Sequence, residues 1–137
     1  VLATARRFAE ALDREDYGEA AALLAPDARY RIGDRVLAGP EAIVASYREN
    51  GEWALAALDG VSYESRVEAA GPGRAAITFV DHLEHAMRRH TNTCRQVVTV
   101  NPDGRITEIE HQDLPGERER LDAFFLETGV RRTGETG

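Results

Sequence analysis

Cysteine is nearly absent: Cys94 is the only one in 137 residues, which excludes an intramolecular disulfide and any zinc module built from several thiolates. No stretch approaches the roughly 20 apolar residues of a membrane span, and the opening VLATARRFAEAL is amphipathic rather than shaped like a signal peptide. Internal repeats and low-complexity segments are missing as well. Positive charge is in deficit, with 24 acids against 17 basic residues and a formal net charge of -7, so a phosphate backbone or an anionic membrane is repelled overall. Neither nucleic acid nor membrane is an expected partner, and a cytoplasmic location is the default expectation.

What is present is the balance of a globular chain, 42% hydrophobic and 30% charged. The length suits one core and is too short for two comfortable domains. A single domain is expected over residues 1–128, with residues 129–137, ending in RRTGETG, as a mobile tail.

Leu2, Ala5, Phe8, Ala9 and Leu12 recur at helical spacing, with Arg6, Arg7, Glu10 and Asp13 on the polar face. Asp16 can cap a second helix, with Tyr17, Ala20, Ala21, Leu23 and Leu24 apolar and Pro26 as its stop. ARYRIGD and RVLAG alternate around Gly33-Asp34 as a hairpin. Gly39-Pro40-Glu41 opens a third helix with Ile43, Val44 and Tyr47 buried, and Asn50-Gly51 is expected to interrupt it before Trp53, Leu55 and Leu58. VSYESRVEA then switches to strand spacing. After Gly71-Pro72-Gly73, the runs AAITFVDHLEHAM, TCRQVVTV and RITEIEHQD form a three-strand meander, and a last helix is expected from Pro115 to about Glu127.

VDHLEHAMRRHTN, residues 80–92, gathers His82, His85 and His90 beside Asp81 and Glu84. On a helix, His82 and His85 would share a face and suit one metal ion. On a strand, Asp81 and His85 point one way and His82 and Glu84 the other. The strand formers Ile77, Thr78, Phe79 and Val80 on one side and VVTV on the other favour the strand. Centring the turn on Arg88-Arg89, with His90 beside it, pairs Phe79 with Val98, Asp81 with Gln96, Leu83 with Cys94 and His85 with Asn92. Closing the next hairpin at NPDG pairs Val100 with Arg105 and Cys94 with His111, and aligns Thr107, Ile109, His111 and Asp113 on the same face. That face is the expected interior. It is an apolar wall with Asp81, Gln96 and His111 toward one end, and Asp113, Asn92 and His85 nearer the rim. His82, Glu84 and Arg95 go to the outer face.

The order helix, helix, hairpin, helix, meander resembles the nuclear transport factor 2-like superfamily, with its SnoaL-like members. FAEALDREDYGEAAALLAPDARYRIGD resembles the family's opening, GPEAIVASYREN its G-x-E-A-I third helix, and NPDGRITEIEHQD its last hairpin. The resemblance covers residues 2 to about 114. It implies an α+β fold: a curved, mostly antiparallel sheet wrapped around the N-terminal helices as a cone, open at one end, and paired as a homodimer. Phe124 and Phe125 offer a further contact for that dimer. The fold hosts isomerases, cyclases, dehydratases, epoxide hydrolases and non-catalytic binders alike. Aligned position by position, the catalytic aspartate of ketosteroid isomerase falls on Ile32 and its helix-borne tyrosine near Phe8, which disfavours steroid isomerisation. The Arg-x-Asp of limonene epoxide hydrolase falls on Phe79-Val80-Asp81, keeping the Asp without the Arg. The last-strand acid of that hydrolase and of the cyclases falls on His111.

Asp81 on an apolar wall loses solvation, which raises its pKa toward neutrality and suits a general base. His111 exchanges protons near pH 7 and serves as the complementary acid, with Gln96 orienting substrate or Asp81. Phe79, Cys94, Tyr30 and Trp53 are candidate lining for a small, mostly apolar or aromatic molecule, with Asn92, Asp113 and His85 at its edge. Cys94 reads mainly as a small wall residue, with a minor case for a thiolate activated by His111. Metal is not expected: Asp81 and His85 lie about 13 Å apart along an extended strand. No cofactor is expected either. The competing reading is a binding or dimerisation module whose polar wall is structural.

Overall fold

The computed structural model describes residues 1–130; residues 131–137 of the expected tail lie outside them. Helix α1 (Leu2–Asp13) buries Ala5, Phe8, Ala9, Ala11 and Leu12 along one stripe. In the short α2 (Tyr17–Ala22), the Asp16 carboxylate accepts the Glu19 backbone N–H at 3.1 Å, the expected cap. Leu24 belongs to the next strand rather than to α2: β1 runs Leu24–Ile32 and contains Pro26. The proline is tolerated because the pairing of β1 with its neighbour is irregular between Leu24 and Arg29, so its missing N–H costs no regular ladder bond.

After β2 (Arg35–Ala38) comes α3 (Pro40–Ala57), which Asn50-Gly51 does not interrupt. Gly51 is buried inside it. A Cβ built there would sit 3.0 Å from the Tyr17 hydroxyl and 3.9 Å from that of Tyr63, so the glycine makes room for two tyrosine ends instead of breaking the helix.

Strands β3 (Gly60–Ala69), β4 (Arg74–His85), β5 (Arg88–Val100) and β6 (Ile106–Asp113) form an antiparallel meander. Among the described residues the sheet order is β2-β1-β6-β5-β4-β3, with β1 parallel to β6 and the other pairings of this curved, unclosed sheet antiparallel. The fold is thus the expected α+β cone. Helix α1 packs against β3, β4 and β5, and the main core around Phe8, Leu24, Ile43, Ile77, Val98 and Ile109 fills the space between helices and sheet. Helix α4 (Glu117–Thr128), between the left-handed Gly116 and Gly129, covers a second cluster of Leu58, Leu83, Phe124 and Phe125.

The first hairpin closes elsewhere than the sequence suggests, and the second closes at NPDG as expected but with a different pairing. The first turn is Ala86-Met87, with φ of 52° and 64°. Two successive left-handed residues give the backbone twist of a two-residue hairpin turn. Asp81 therefore faces Asn92, Phe79 faces Cys94, Ile77 faces Gln96, Leu83 faces His90 and His85 faces Arg88. In the second, the Asn101 side chain accepts the N–H groups of Asp103 and Arg105, each at 3.0 Å. A bulge after Val100 then pairs Val100 with Ile106, Gln96 with His111 and Cys94 with Asp113. Ile106, rather than Thr107, is fully buried.

Candidate functional site

Alternation along β1, β4, β5 and β6 aims Tyr30, Phe79, Asp81, Asn92, Cys94, Gln96, His111 and Asp113 at the inner wall. Away from the bulge both register corrections are even numbers of residues, so the expected faces survive there while the partners change; Thr107 loses its interior place to Ile106.

On the β1–β6 side the polar groups form a continuous chain. The Tyr47 hydroxyl donates to Gln96 Oε1 at 2.5 Å, and Gln96 Nε2 donates to the Tyr30 hydroxyl at 2.7 Å and reaches His111 Nδ1 at 3.3 Å. With Nδ1 accepting, this network assigns the His111 proton to Nε2, which lies 3.0 Å from Asp113 Oδ1. The rings of Tyr30 and Tyr47 stack at 5.3 Å. Gln96 is 3% exposed. Burial pushes the Tyr30 and Tyr47 hydroxyls well above the usual phenol range, so both remain protonated donors.

The β3–β4 side holds acids instead. Burial raises the Asp81 carboxyl to about 6; a hydrogen bond from Asn92 pulls back, nearby Asp13 pushes up, and His82 pulls down. Asp13, at the end of α1, is anchored by the Ser65 hydroxyl at 2.6 Å and is also raised, first by its own burial. Tyr63, opposite Asp81 on β3, is pushed up to about 12 by burial and then by Asp81.

Cys94 lies between the two sides. Burial, then Asp81, Asp113 and Glu117, lift its thiol to about 12, so it stays protonated. It faces Asp113 rather than His111, and the activated-thiolate reading is withdrawn. Asp81 and His111 belong to rows of the sheet four β5 residues apart, roughly 13 Å along the strand. They do not exchange a proton directly.

Toward the mouth, His85 Nδ1 approaches Asp59 Oδ2 at 3.5 Å without a hydrogen bond, and the Ala86 N–H takes that oxygen at 3.0 Å. Trp53 of α3 meets Phe125 edge to face at 5.6 Å. Phe124 and Phe125 are 5% and 4% exposed within the single chain, which removes them as a dimer contact. His90 is not at the turn but two residues inside β5, with its ring stacked on Phe124 at 5.3 Å. His82 stands on the outer face with Glu64 and Thr91, as expected. Among the described residues no group of three or more His, Cys, Asp or Glu side chains is placed to hold a metal, and no helix is long and apolar enough to cross a membrane.

Among the described residues, two of the clefts lie outside the cone interior. One, of about 580 Å³, lies beside the start of α3 and includes Leu24, Gly39 and Arg105; the other, of about 540 Å³, includes Ser62, His82 and Thr91. Neither is lined by Asp81 or His111.

Asp13 and Ser65 were not among the sequence candidates. Asp13 had one legible signal: an acid in the last turn of a helix is disfavoured by the helix dipole, which invites another reason for its presence.

A curved, mostly antiparallel sheet around N-terminal helices is the architecture of the nuclear transport factor 2-like fold. The model of the SnoaL-like domain family matches residues 5–109, and the chain belongs to that family. Helix α4 lies beyond the match. No curated protein sequence matches the chain. Among solved structures, it is similar to a Xanthomonas campestris protein provisionally described as a polyketide cyclase, at 16% identity and a TM-score of 0.65, covering 92% of this chain and 94% of that one. It is also similar to an LEH-like epoxide hydrolase of Mycobacterium tuberculosis, at 20% identity and a TM-score of 0.64, covering 92% and 90%. A third structure, described as Rd1NTF2_04 with long sheet, matches at 21% identity and a TM-score of 0.55, covering 80% and 96%. At these identities the likeness is one of fold.

Proposed function

We propose that the interior of the cone binds a small, mostly apolar organic molecule and that Asp81 takes a proton from it. His111, held between Gln96 and Asp113, acts as the proton donor at the far end of the polar belt by turning its Nε2–H from Asp113 to the ligand. The observation that carries this reading is the Asp81 carboxyl on the inner wall, raised by burial to about 6. A base of that strength is ionised at neutral pH yet holds a proton better than an ordinary aspartate. Asn92 orients Asp81, and Tyr30, Phe79, Cys94 and Trp53 supply apolar surface. Ring closure through a carbanion and opening of an epoxide by water both need a base on one side of the reacting bond and a proton donor on the other. The resemblance to structures described with those chemistries makes them the first to assay.

One observation favours a second reading, a non-catalytic binding module: the chain Tyr47–Gln96–Tyr30 and His111–Asp113 pairs its members with one another, as a structural network does. Asp81→Asn separates the two. Catalysis predicts retained ligand binding, a loss of turnover of roughly 10²- to 10⁴-fold, and disappearance of the limb of the pH profile that rises through about 6. Unchanged turnover in the variant, or no turnover of epoxides or polycarbonyl compounds by the wild type while ligand still binds, favours the module.

A further inference from the structure

Tyr47 reads from the sequence as one member of the buried stripe of α3, yet its hydroxyl begins the polar chain that ends at His111. Its ring is held on two sides, stacked on Tyr30 of β1 at 5.3 Å and edge to face with Phe8 of α1 at 5.9 Å. A ring fixed in this way leaves the hydroxyl little freedom, and it points at Gln96 Oε1, 2.5 Å away.

The bonds beyond Gln96 run in one direction. A primary amide accepts at its oxygen and donates at its nitrogen. With Oε1 taken by the Tyr47 O–H, Gln96 turns Nε2 toward the Tyr30 hydroxyl at 2.7 Å and His111 Nδ1 at 3.3 Å. A ring nitrogen that accepts carries no proton, so the proton of the neutral imidazole lies on Nε2, 3.0 Å from Asp113 Oδ1. Turning the amide over would reverse every link: Oε1 would face Nδ1, and the proton of the ring would move to that nitrogen. Two groups oppose the reversal, Tyr47 from the buried side and Asp113 from the rim. They are unequal. Gln96 is 3% exposed whereas the Asp113 side chain is 62% exposed, and leaving a buried polar group unpaired costs more than an exposed ion pair contributes.

We propose that Tyr47 is a positioning residue: through the Gln96 amide it sets which nitrogen of His111 carries the proton, and so presents the Nε2–H at the rim, where a ligand can receive it. This rests on the reading of His111 as the proton donor, and it adds the group that holds the donor in the required tautomer. The tautomer belongs to the ligand-free protein and is measurable without turnover.

The test is the nitrogen-15 spectrum of His111 in the ligand-free full chain at alkaline pH, where long-range proton–nitrogen couplings tell a bare ring nitrogen from a protonated one. His111→Gln identifies the signals. The wild type is expected to show a single tautomer, Nε2–H. Tyr47→Phe keeps both ring contacts and leaves one end of the Gln96 amide unpaired whichever way it turns, so the averaged shifts of His111 are expected to report an Nδ1–H fraction of at least about a tenth. Asp113→Asn is expected to keep the wild-type tautomer, because the buried side holds it. Gln96→Glu, a carboxylate of the same shape, places acceptors at both ring nitrogens and is expected to leave His111 doubly protonated at a pH where the wild-type ring is neutral; it serves if Tyr47→Phe does not fold. An Nδ1–H wild type, an unshifted tautomer in Tyr47→Phe, loss of the tautomer in Asp113→Asn, or a neutral His111 in Gln96→Glu overturns the proposal. Turnover by Asp81→Asn is read separately, so the catalytic reading can fail while this assignment stands, and the reverse.

Discussion

Gln96 is buried and Asp81 half-buried on the same inner wall, and the protein treats them in opposite ways. Gln96 sits where three partners converge, with Tyr47 donating to its oxygen and its nitrogen donating to Tyr30 and reaching His111. Asp81 sits among groups that oppose its charge: the wall removes water, Asp13 adds like charge, and the Asn92 hydrogen bond offsets only part of this, leaving the carboxyl at about 6. The first arrangement lowers the cost of burial and stiffens the fold. The second leaves the cost standing in one protonation state, which is how a fold keeps a base poised for proton transfer.

Removing the centre of each arrangement should therefore have opposite signs. Gln96→Leu keeps the volume but strands two phenol hydroxyls and His111 Nδ1, and chemical denaturation should record a loss of about 3 kcal/mol. Asp81→Asn should do the reverse at neutral pH. In the unfolded chain an aspartate titrates near 3.9, whereas in the folded protein Asp81 titrates at about 6. Between those values the folded state holds more protons than the unfolded state, so stability falls as pH rises through the window, and the loss is complete above it. The asparagine removes that loss, giving a gain on the order of 2 kcal/mol at about pH 8 and almost none at about pH 3.5. A gain that is the same at both pH values would mean that Asp81 is not the group responsible.

The faces of the strands were legible in the sequence because alternation leaves little choice: exposing Phe79, Val98 and Ile109 would be costly, and Asp81, Gln96 and His111 follow them inward. The pairing across strands was not legible to the same degree. It is set by the turns, and Ala86-Met87 carries neither the Asn nor the Gly that marks a left-handed pair. The first hairpin therefore closes two residues earlier than the Arg88-Arg89 centre suggests, and Asp81 moves from Gln96 to Asn92. The second hairpin carries a bulge that alternation alone does not reveal. Asn50-Gly51 misleads in the other direction, since its turn signal is overridden by the packing of Tyr17 and Tyr63 against α3. Asp13 and Ser65 are 52 residues apart in the chain, and only the docking of α1 on β3 brings them together.

The central claim is that the cone wall holds Asp81 as a base of raised strength. Its side-chain carboxyl carbon can be followed by NMR across the acid range, with Asp81→Asn identifying the signal. The account predicts a titration midpoint near 6, as burial on the wall requires. A midpoint near 4, the value of an ordinary solvated aspartate, would contradict it.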